Sequence, residues 1–346
     1  MTEPQPQEML YISVEDFFAE HPRRGRTLTI PPYNMKVHMV SDCLCMGTVS
    51  QVILPLVDGK TPYVFTESTD YPDTHSLLPI SYRNGLEHPV EELEEAAPLY
   101  PLYAFHNFWH WMFEGLPRLL VLEKFGYDGI YIIAHGVPFI MDLMDLLGID
   151  PKRLRFNDTT YKVRKLMLPH PWSATTMYHG NPELFSLVRS TLLDAVEPLP
   201  GRKRCYVRRV GSKRRVINET DVLHTLEAFD FEILVPESLS ARQQIQFMTN
   251  VDFSVMPHGA NCTLAAFQKS GSAFVELFSH RFLYFMNLFM AEHCNLLYVP
   301  LCSELVRTTP PPHGYDQDAD TLVDCNALRV IVGNMIRHGA GGNHSR

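Results

Sequence analysis

The alternation of predicted strands and helices in the second half of the chain limits the fold more than any other feature, and residues 251–278 show it most clearly. A short apolar run ends at Pro257, a turn with His258 and Gly259 follows, and an apolar helical segment comes next. Buried strands and packed helices have these patterns. A strand that passes through a tight turn into a helix and then into a second strand indicates a parallel sheet. The predicted elements are a strand (Val251–Met256), a helix (Ala260–Lys269) and a strand (Ala273–Phe278).

The turn after the first of these strands is a candidate phosphate site. A turn between a parallel strand and a helix N-terminus presents unbonded backbone N–H groups and a partial positive charge, which suit an anion. The turn contains His258, Gly259, Ala260 and Asn261. An ordinary packed turn has the same short pattern, so both interpretations stay open. Glu276, late in the second strand, is either a ribose-binding carboxylate or a buried carboxylate with its own partners.

The same alternation continues on both sides of this block and predicts a doubly wound parallel sheet. The first half contains short β-branched runs and then a long amphipathic helical segment, in which Pro117 is expected to cause a kink or a restart. Residues 1–35 are expected to form an irregular lead-in with a short helix near 14–20, and the acidic run 87–95 a solvated helix or loop. The other predicted elements are strands at 130–133, 163–168, 205–207, 231–235 and 296–299 and helices at 100–125, 139–147, 182–196, 219–229, 241–250, 282–293 and 327–337.

Length and composition favour two globular domains. A chain of 346 residues is long enough for two hydrophobic cores, and its 45% hydrophobic and 20% charged content is ordinary for a folded protein. The Pro- and Gly-containing stretch Glu197–Gly201 predicts the division between an α/β domain at 1–198 and a second at 199–338. The Gly-rich tail, 339–346, is predicted to be disordered.

Charge and cysteine content argue against several classes of protein. The net charge of −9 disfavours a general binder of nucleic acid or anionic membranes, so any anion site must be local. The seven cysteines include no C-x-x-C pair, which disfavours a zinc ribbon or a disulfide framework. The sequence has neither a signal-peptide pattern nor an apolar run of membrane-spanning length. Sequons at Asn218 and Asn261 fall at the candidate site, where a glycan would obstruct it. We therefore expect a cytoplasmic protein, or a soluble catalytic domain that lacks its targeting segment.

A basic run occupies Arg202–Arg215, where eight of fourteen residues are Lys or Arg. The strand predicted before Arg208 and Arg209 puts both at the carboxyl end of a parallel strand, where open α/β sheets bind ligands. Guanidinium groups suit bidentate contacts with a diphosphate, and Lys213 and Arg215 add positive charge. A solvated basic loop or a nuclear-targeting run is the alternative.

A third candidate cluster lies on the long helical segment of the first half, where His106, His110 and Glu114 are spaced by four and share one face. Two histidines at i and i+4 with a carboxylate can bind zinc, although the helix lacks the Glu directly after the first His that a zinc protease needs. Alternatively, Glu114 is a general base supported by His110, and aromatic neighbours lower the local dielectric and make it a stronger proton acceptor. Ordinary core histidines are the third interpretation. The aromatic neighbours expected around Glu114 are Phe108, Trp109, Trp111 and Phe113.

Three segments together resemble the family-61 glycosyltransferases, which include plant xylosyl- and arabinosyltransferases and animal enzymes that add N-acetylglucosamine to proteins. Residues 107–119 (NFWHWMFEGLPRL) resemble the family's Asn–aromatic–His–Trp–x–x–Glu–x–Leu–Pro–Arg helix. Tyr206–Arg209, with Arg and Asn-Glu downstream, resembles its Tyr-x-x-Arg segment. His258–Ala260 resembles its His-Gly-Ala-Gly segment, although Asn261 stands where the family usually has glycine.

The resemblance implies a GT-B fold, in which two Rossmann-like, doubly wound domains face each other across a cleft and the C-terminal domain holds a nucleotide sugar. It implies an inverting, metal-independent enzyme that moves a pentose such as xylose, or an N-acetylhexosamine, from a UDP-sugar to a hydroxyl group. Carried onto this chain, it makes Glu114 the base, with His110 beside it. Arg208, Arg209 and the N–H groups after His258 would stabilise the leaving diphosphate.

The expected partners are a nucleotide-sugar donor and a glycan or glycoprotein acceptor, with no nucleic acid, no membrane span, no metal and no cofactor apart from the UDP-sugar. Two other functions are compatible with the residues alone. One is a zinc-dependent hydrolase that uses His106, His110 and Glu114. The other is a non-enzymatic nucleotide- or RNA-binding module that uses Arg202–Arg215.

Overall fold

The computed structural model describes residues 10–33, 35–46, 52–55, 63–65, 90–99, 107–170, 182–201, 203–211, 213–280, 283, 286–302 and 318–337. The chain divides into two compact units, Met1–Val188 and Arg189–Arg346, so the division falls inside the helix Pro182–Asp194. The boundary predicted between residues 198 and 199 comes after that helix. The tail predicted to be disordered, 339–346, lies outside the described residues, as do residues 1–9 of the predicted lead-in.

The first unit contains a seven-stranded mixed sheet within its described part. Its strands are β2 (Gly25–Ile30), β3 (Met35–Met46), β4 (Val52–Pro55), β6 (Val90–Pro98), β7 (Ile130–Ile133), β8 (Leu154–Phe156) and β9 (Thr160–His170), while β1 (Leu10–Ile12) pairs separately with β5 (Tyr63–Phe65). The order is β2-β3-β9-β6-β7-β8, with β4 beside β3. The pairs among β9, β6, β7 and β8 are parallel, whereas β3 runs antiparallel to β2, β4 and β9. The α/β class is confirmed, but this sheet is not the wholly parallel sheet of a Rossmann-like domain.

Part of the expected lead-in has regular structure. The predicted short helix is α1 (Val14–Glu20), and the side chain of Ser13 accepts a hydrogen bond from its first turn. The strand β2 then pairs with β3 through a short connection. Short connections can join only antiparallel strands, which explains why the sheet begins with a hairpin that an alternating α/β pattern does not predict.

The acidic run near residue 90 forms the strand β6, so the predicted solvated helix or loop is wrong there; residues 87–89 lie outside the described residues. Glutamate has a low strand propensity. Its side chains on β6 are instead stabilised by basic side chains on the parallel neighbour β9. The ion pairs are Glu92–Lys162 (2.7 Å), Glu94–Arg164 (3.3 Å) and Glu95–Lys165 (2.9 Å).

A helical segment from Phe108 to Lys124 passes through a π-helical turn. The N–H of Leu116 donates to the carbonyl of Trp111, five residues back. In a regular α-helix the ring of Pro117 would meet the carbonyl of Phe113, and the wider π turn avoids this. The predicted restart at the proline is therefore confirmed. After α1, the helical elements of the first half are α2 (Phe108–His110), the π turn (Trp111–Gly115), α3 (Leu116–Lys124), α4 (Pro138–Leu146), a 3-10 helix (Pro151–Arg153) and α5 (Pro182–Asp194).

The second unit contains, within its described part, a five-stranded parallel sheet, as the sequence predicted. Its strands are β10 (Lys203–Val207), β11 (Phe231–Leu234), β12 (Val251–Pro257), β13 (Ala273–Phe278) and β14 (Leu297–Cys302). The order is β11-β10-β12-β13-β14, so the chain moves to one side of β10 first and to the other side afterwards. The carboxyl ends of β10 and β12 therefore form a topological switch point, the position where open α/β sheets bind ligands.

The helices of the second unit are α6 (Glu219–Glu227), α7 (Ala241–Met248), α8 (Met286–His293) and α9 (Cys325–Arg337). Apolar side chains of α6 and α9 pack with those of β10, β12 and β13 in one core, for example Leu226 and Leu328 with Val255. Burial of these side chains is the main stabilising contribution to such a layer. No helix in the described ranges is long and apolar enough to span a membrane.

The helix predicted at 260–269 is a 3-10 helix that covers Ala260–Phe267. Its first turn contains Asn, Cys and Thr, which are weak α-helix formers. At its end, the guanidinium of Arg189 donates to the carbonyls of Ala266 (2.7 Å) and Gln268 (2.6 Å). Arg189 thus satisfies backbone acceptors that an α-helix ending here would leave unbonded.

Candidate active site

Arg209 meets the Gly259 turn at the switch point of the parallel sheet. Arg209 is the second residue after β10, and Gly259 is the second residue after the neighbouring strand β12. A Cβ atom added to Gly259 would clash with the Arg209 guanidinium, so this group lies directly against the glycine. The two segments predicted to share one edge of the sheet are therefore in contact, and a positive charge lies beside the backbone of the turn.

Gly259 is required here by conformation as well as by space. Its φ is 157° and its ψ is −175°, a region open mainly to glycine. A side chain would strain this backbone and displace Arg209. Ala260 and Asn261 follow as the first residues of the 3-10 helix. The leading N–H groups of a helix have no partner within the helix, so this turn offers the donors that a phosphate needs.

His258 is held by a buried carboxylate. Its Nδ1 lies 2.6 Å from Glu276 Oε1, and its ring stacks on Phe278 with the centroids 4.8 Å apart. Glu276 also accepts hydrogen bonds from Asn287 Nδ2 (2.7 Å) and from the Tyr298 hydroxyl (2.8 Å). Burial, together with the nearby Glu276, raises the pKa of Tyr298, which keeps this hydroxyl a donor. Glu276 therefore fixes the orientation of His258 at the start of the turn.

The expected contact of Glu276 with a ribose does not fit this structure. Its side chain has no exposed surface, and both carboxylate oxygens accept hydrogen bonds from other side chains. A carboxylate enclosed in this way has no path to a nucleotide while the network is intact. The alternative, a buried carboxylate with its own partners, describes this residue. Asn287 and Tyr298, which hold Glu276, belong to none of the sequence motifs. Their role is evident only from their hydrogen bonds in the structure.

The other candidate cations of the basic run form ion pairs. Arg208, Lys213 and Arg215 each have a carboxylate within 2.7 Å of a side-chain nitrogen. Their partners are Glu219, Asp318 and Asp320, respectively. The hydrogen bond from Arg215 lowers the pKa of Asp320 below its usual value. These three basic residues stay candidate ligands, but each charge already has a protein partner; Arg202 lies outside the described residues.

Asn261, which stands where the resembled family usually has glycine, turns its side chain towards the end of β11. Its Nδ2 donates to Glu237 Oε1 at 3.3 Å. Glu237 is exposed and belongs to the short 3-10 helix Pro236–Ser238, which begins just after β11. The Asn261 side chain therefore connects the segments after β12 and after β11.

In the first unit, Glu114 and His110 form a close pair on the π turn and the residue before it. His110 Nδ1 lies 2.7 Å from Glu114 Oε1. The side chain of His110 keeps 15% of its surface exposed and that of Glu114 only 3%, so His110 is the more accessible member. The Glu114 carbonyl accepts a hydrogen bond from the buried Arg118 at 3.0 Å, and the Asn107 side chain accepts from the N–H groups of Trp109 and His110. The helical segment that carries the pair is therefore held by a side-chain hydrogen bond at each end, which involves Asn107 at its start and Arg118 near Glu114.

The predicted aromatic surroundings of this pair are present. The Trp109 ring lies edge-on to His110, with centroids 5.3 Å apart, and equally close to Phe113. The aromatic residues predicted from the sequence to surround the pair are all at most 9% exposed, and Glu114 is buried. Charge near Glu114 is consequently little screened by water. The buried aromatic residues around the pair are Phe108, Trp109, Trp111 and Phe113.

The zinc interpretation depends on His106, which lies outside the described residues. Among the residues that the structure describes, no group of three or more His, Cys, Asp or Glu side chains is arranged to hold a metal ion. Of the predicted three-residue cluster, the structure describes His110 and Glu114, and their hydrogen-bonded pair is compatible with proton transfer.

Two features of the site had no sequence signal of their own. The π turn has no hydrogen-bond pattern that can be read from residue types, although a proline inside a helical pattern is a reason to consider one. The carboxylates that pair with the basic run come from distant positions, since Asp318 and Asp320 lie more than a hundred residues beyond Lys213 and Arg215. No local pattern connects these two segments, so the pairing could not be predicted from the sequence.

Residues 108–275 match the family model described as Glycosyltransferase 61. The matched span includes the His110–Glu114 pair, Arg209 and the His258–Gly259 turn, and it ends one residue before Glu276. No curated protein matches the chain. The ordered segments that suggested this family from the sequence alone fall within the match, except that Asn107 lies one residue before its start. The match makes the chain similar to the family-61 glycosyltransferases and supports glycosyltransferase activity.

Proposed function

We propose that this glycosyltransferase is an inverting, metal-independent enzyme that uses a UDP-sugar. The sugar is a pentose such as xylose or an N-acetylhexosamine, and the acceptor is a hydroxyl group of a glycan or glycoprotein. The observation that supports this most strongly is the contact of the Arg209 guanidinium with Gly259 at the switch point of a parallel sheet. A guanidinium and a donor-rich backbone turn at that position suit a nucleoside diphosphate.

On the donor side, we assign the diphosphate to Arg209 and to the backbone N–H groups that follow Gly259. Negative charge on the β-phosphate grows as the bond to the sugar breaks, and preorganised donors stabilise that growing charge. His258, oriented by Glu276, lies at the start of the same turn. Fixed positive charge from Arg209 supplies the stabilisation that a divalent cation supplies in metal-dependent transferases. Arg208, Lys213 and Arg215 add to the local positive field.

On the acceptor side, we assign Glu114 as the general base and His110 as its partner. The acceptor hydroxyl loses its proton to this pair, and its oxygen forms a bond to the anomeric carbon from the face opposite the diphosphate. The bond from that carbon to the β-phosphate oxygen breaks, and UDP leaves with both electrons. The transition state resembles an oxocarbenium ion, as in other substitutions at an anomeric carbon. Within this proposal, the second unit is the donor domain and the first unit is the acceptor domain of a GT-B-type enzyme, in which the sheet of the acceptor domain is mixed rather than wholly parallel. The enzyme acts as a cytoplasmic or targeted soluble protein, without nucleic acid.

The test is a UDP-release assay on the whole chain, with a panel of UDP-sugars and hydroxyl acceptors in the presence of EDTA. Acceptor-dependent release of UDP in EDTA, with a product of inverted anomeric configuration by NMR, is the expected result. Release that EDTA abolishes and a divalent metal restores would exclude the metal-independent mechanism. Retention of configuration would exclude Glu114 as a base in a single displacement.

A further inference from the structure

The structure raises the question of which group recognises the ribose of the donor nucleotide. Glu276, the carboxylate that the sequence suggested, is fully buried and already accepts three hydrogen bonds. A ribose diol offers two hydroxyl donors, and an exposed carboxylate is well suited to accept from both. A different carboxylate at the carboxyl edge of the same sheet would therefore be needed. This inference rests on the proposed use of a nucleoside diphosphate sugar.

Glu237 lies at that edge, one strand away from the proposed diphosphate site. It is the third residue after β11, which pairs in parallel with β10, and Arg209 is the second residue after β10. Neighbouring strands are about 4.8 Å apart, so this separation is comparable to that between a ribose and its phosphate. In dinucleotide-binding sheets the ribose carboxylate follows the second strand of the unit, next to the strand that leads to the phosphates. β11 holds that position relative to β10.

The other carboxylates near this edge are neutralised by cations. Glu219 pairs with Arg208 and also accepts a hydrogen bond from Tyr206. Asp318 and Asp320 pair with basic residues of the loop after β10. Within the described part of the chain, Glu237 forms no ion pair and its hydrogen bond is the one from the neutral amide of Asn261. An exposed carboxylate without a cation keeps its capacity to accept bonds from a ligand.

We propose that Glu237 and Asn261 together bind the ribose diol of the donor nucleotide. The Glu237 carboxylate accepts from the 2′- and 3′-hydroxyls, and the Asn261 amide, which lies 3.3 Å from it, orients the carboxylate and can bond a hydroxyl oxygen. Asn261 is also the second residue after Gly259, so one short segment joins the diphosphate turn to the ribose site. This gives a role to the position where the chain departs from the glycine of its family.

The experiment compares the affinities of UDP and 2′,3′-dideoxy-UDP for wild-type protein and for the Glu237→Ala, Glu237→Gln and Asn261→Ala variants, by calorimetry. Wild-type protein should prefer UDP by about tenfold or more, since a charged acceptor loses its hydrogen bonds with the dideoxy analogue. Glu237→Ala should remove most of this preference by weakening UDP alone, and the other two variants should reduce it partly. Glu232→Gln removes an exposed carboxylate from the preceding strand β11, where it pairs with Lys203, and should leave the preference unchanged.

The outcomes separate this inference from the proposed function. Loss of the preference in Glu237→Ala with unchanged affinity for dideoxy-UDP supports the ribose site. An equal loss of affinity for both nucleotides would overturn it, because Glu237 would then act through structure or general charge. A preference retained in both Glu237 variants would also overturn it while leaving UDP binding established. If wild-type protein binds neither nucleotide, the proposed function fails and this inference fails with it. Melting curves identify any variant that does not fold. If Glu237→Ala does not fold, the comparison is made with Glu237→Gln instead.

Discussion

At the scale of single residues, Arg209 and Gly259 depend on each other. The missing side chain of Gly259 leaves the space that the guanidinium occupies. Arg209 Nε also donates to the carbonyl of Lys213 at 3.2 Å, which helps to hold the plane of the group. A guanidinium held in place before binding loses little conformational entropy when it bonds a phosphate. Removal of Arg209 is therefore expected to matter more than removal of any of its paired neighbours.

We expect Arg209→Ala to weaken UDP binding by roughly 10- to 100-fold, because a hydrogen bond to a charged group contributes about 1.5–3 kcal/mol. Isothermal titration at low salt measures the affinity. Arg329→Ala, which removes an exposed arginine from α9, is the matched loss of one positive charge and should change the affinity little. Equal effects of the two substitutions would mean that Arg209 acts only through the overall field of the protein.

Glu114→Gln is expected to lower the turnover number by about a hundredfold or more, because a positioned base accelerates proton transfer by roughly 10²–10⁴. The substitution keeps the shape of the side chain, so UDP affinity should stay close to that of the wild type. Initial rates at saturating donor and acceptor, with UDP titration in parallel, separate the two effects. The surface variant Glu94→Gln serves as the control for loss of a carboxylate. Turnover that survives in Glu114→Gln would exclude this residue as the base.

At the scale of elements, the π turn determines where Glu114 lies. Pro117 prevents a regular α-helix through this segment, and the turn Trp111–Gly115 widens to accommodate it. Gly115 ends the turn in a confined position: a Cβ atom there would come within 2.6 Å of the Trp111 ring and 3.0 Å of the Leu99 carbonyl. The pair of His110 and Glu114 is therefore positioned by packing around the turn as well as by its spacing of four residues.

Gly115→Ala is expected to destabilise the protein by about 1–3 kcal/mol, the usual cost of overpacking a filled core. Urea unfolding measures the change in the free energy of unfolding. Gly333→Ala is the matched control on the helix α9, because its added Cβ would meet only atoms at 3.8 Å. That substitution should be neutral or stabilise by about 0.4–1 kcal/mol, since alanine restricts the unfolded chain. A stable Gly115→Ala variant would show that the indole can move and that the turn is less confined than its packing indicates.

At the scale of the whole molecule, the sheet of the first unit contains a buried histidine that should make this unit sensitive to acid. In the first unit, His38 lies on β3, 1% exposed, and its Nδ1 is 2.9 Å from the Thr27 hydroxyl. Its Nε2 is buried without a hydrogen-bond partner among the described residues. Burial, with a contribution from nearby His170, lowers the pKa of His38 to about 4. Protonation in the folded state would place a charge inside this sheet.

The stability of the first unit should therefore fall as the pH decreases. The folded pKa of His38 is below that of the unfolded chain, so the unfolded state binds more protons between the two values. The contribution is fully present above about pH 6.5 and is lost progressively as the pH falls towards about 4. The difference between these pKa values corresponds to about 3 kcal/mol. Urea titrations followed by tryptophan fluorescence report on this unit, because all three tryptophans lie in it.

His38→Gln should reduce the slope of stability against pH in this range, since the amide does not titrate and can still bond Thr27. His135→Gln, at a histidine whose side chain is 59% exposed, should retain the wild-type slope. Equal slopes for wild type and His38→Gln would contradict the role of His38. The acid sensitivity of this unit would then belong to its carboxylates, such as Glu92, whose pKa is lowered by the hydrogen bond from Lys162.

Features that depend on local pattern and short spacing could be predicted from the amino-acid sequence. Periodic apolar runs predicted the parallel sheet of the second unit, and the restart at Pro117 followed from a ring without an N–H. The segments around His110, Arg209 and His258 were sufficient to suggest the family that the match at residues 108–275 supports.

Contacts between distant parts of the chain, which local pattern does not reveal, determine which of these residues bond one another. The tertiary structure enclosed Glu276, paired Arg208 with Glu219, and placed Arg209 against Gly259. It also turned the acidic run of β6 into a strand, because the basic residues that stabilise it lie seventy positions later. The physical reason is the same in each case: burial and ion pairing depend on side chains brought together by the sheet order, and that order joins residues far apart in the chain.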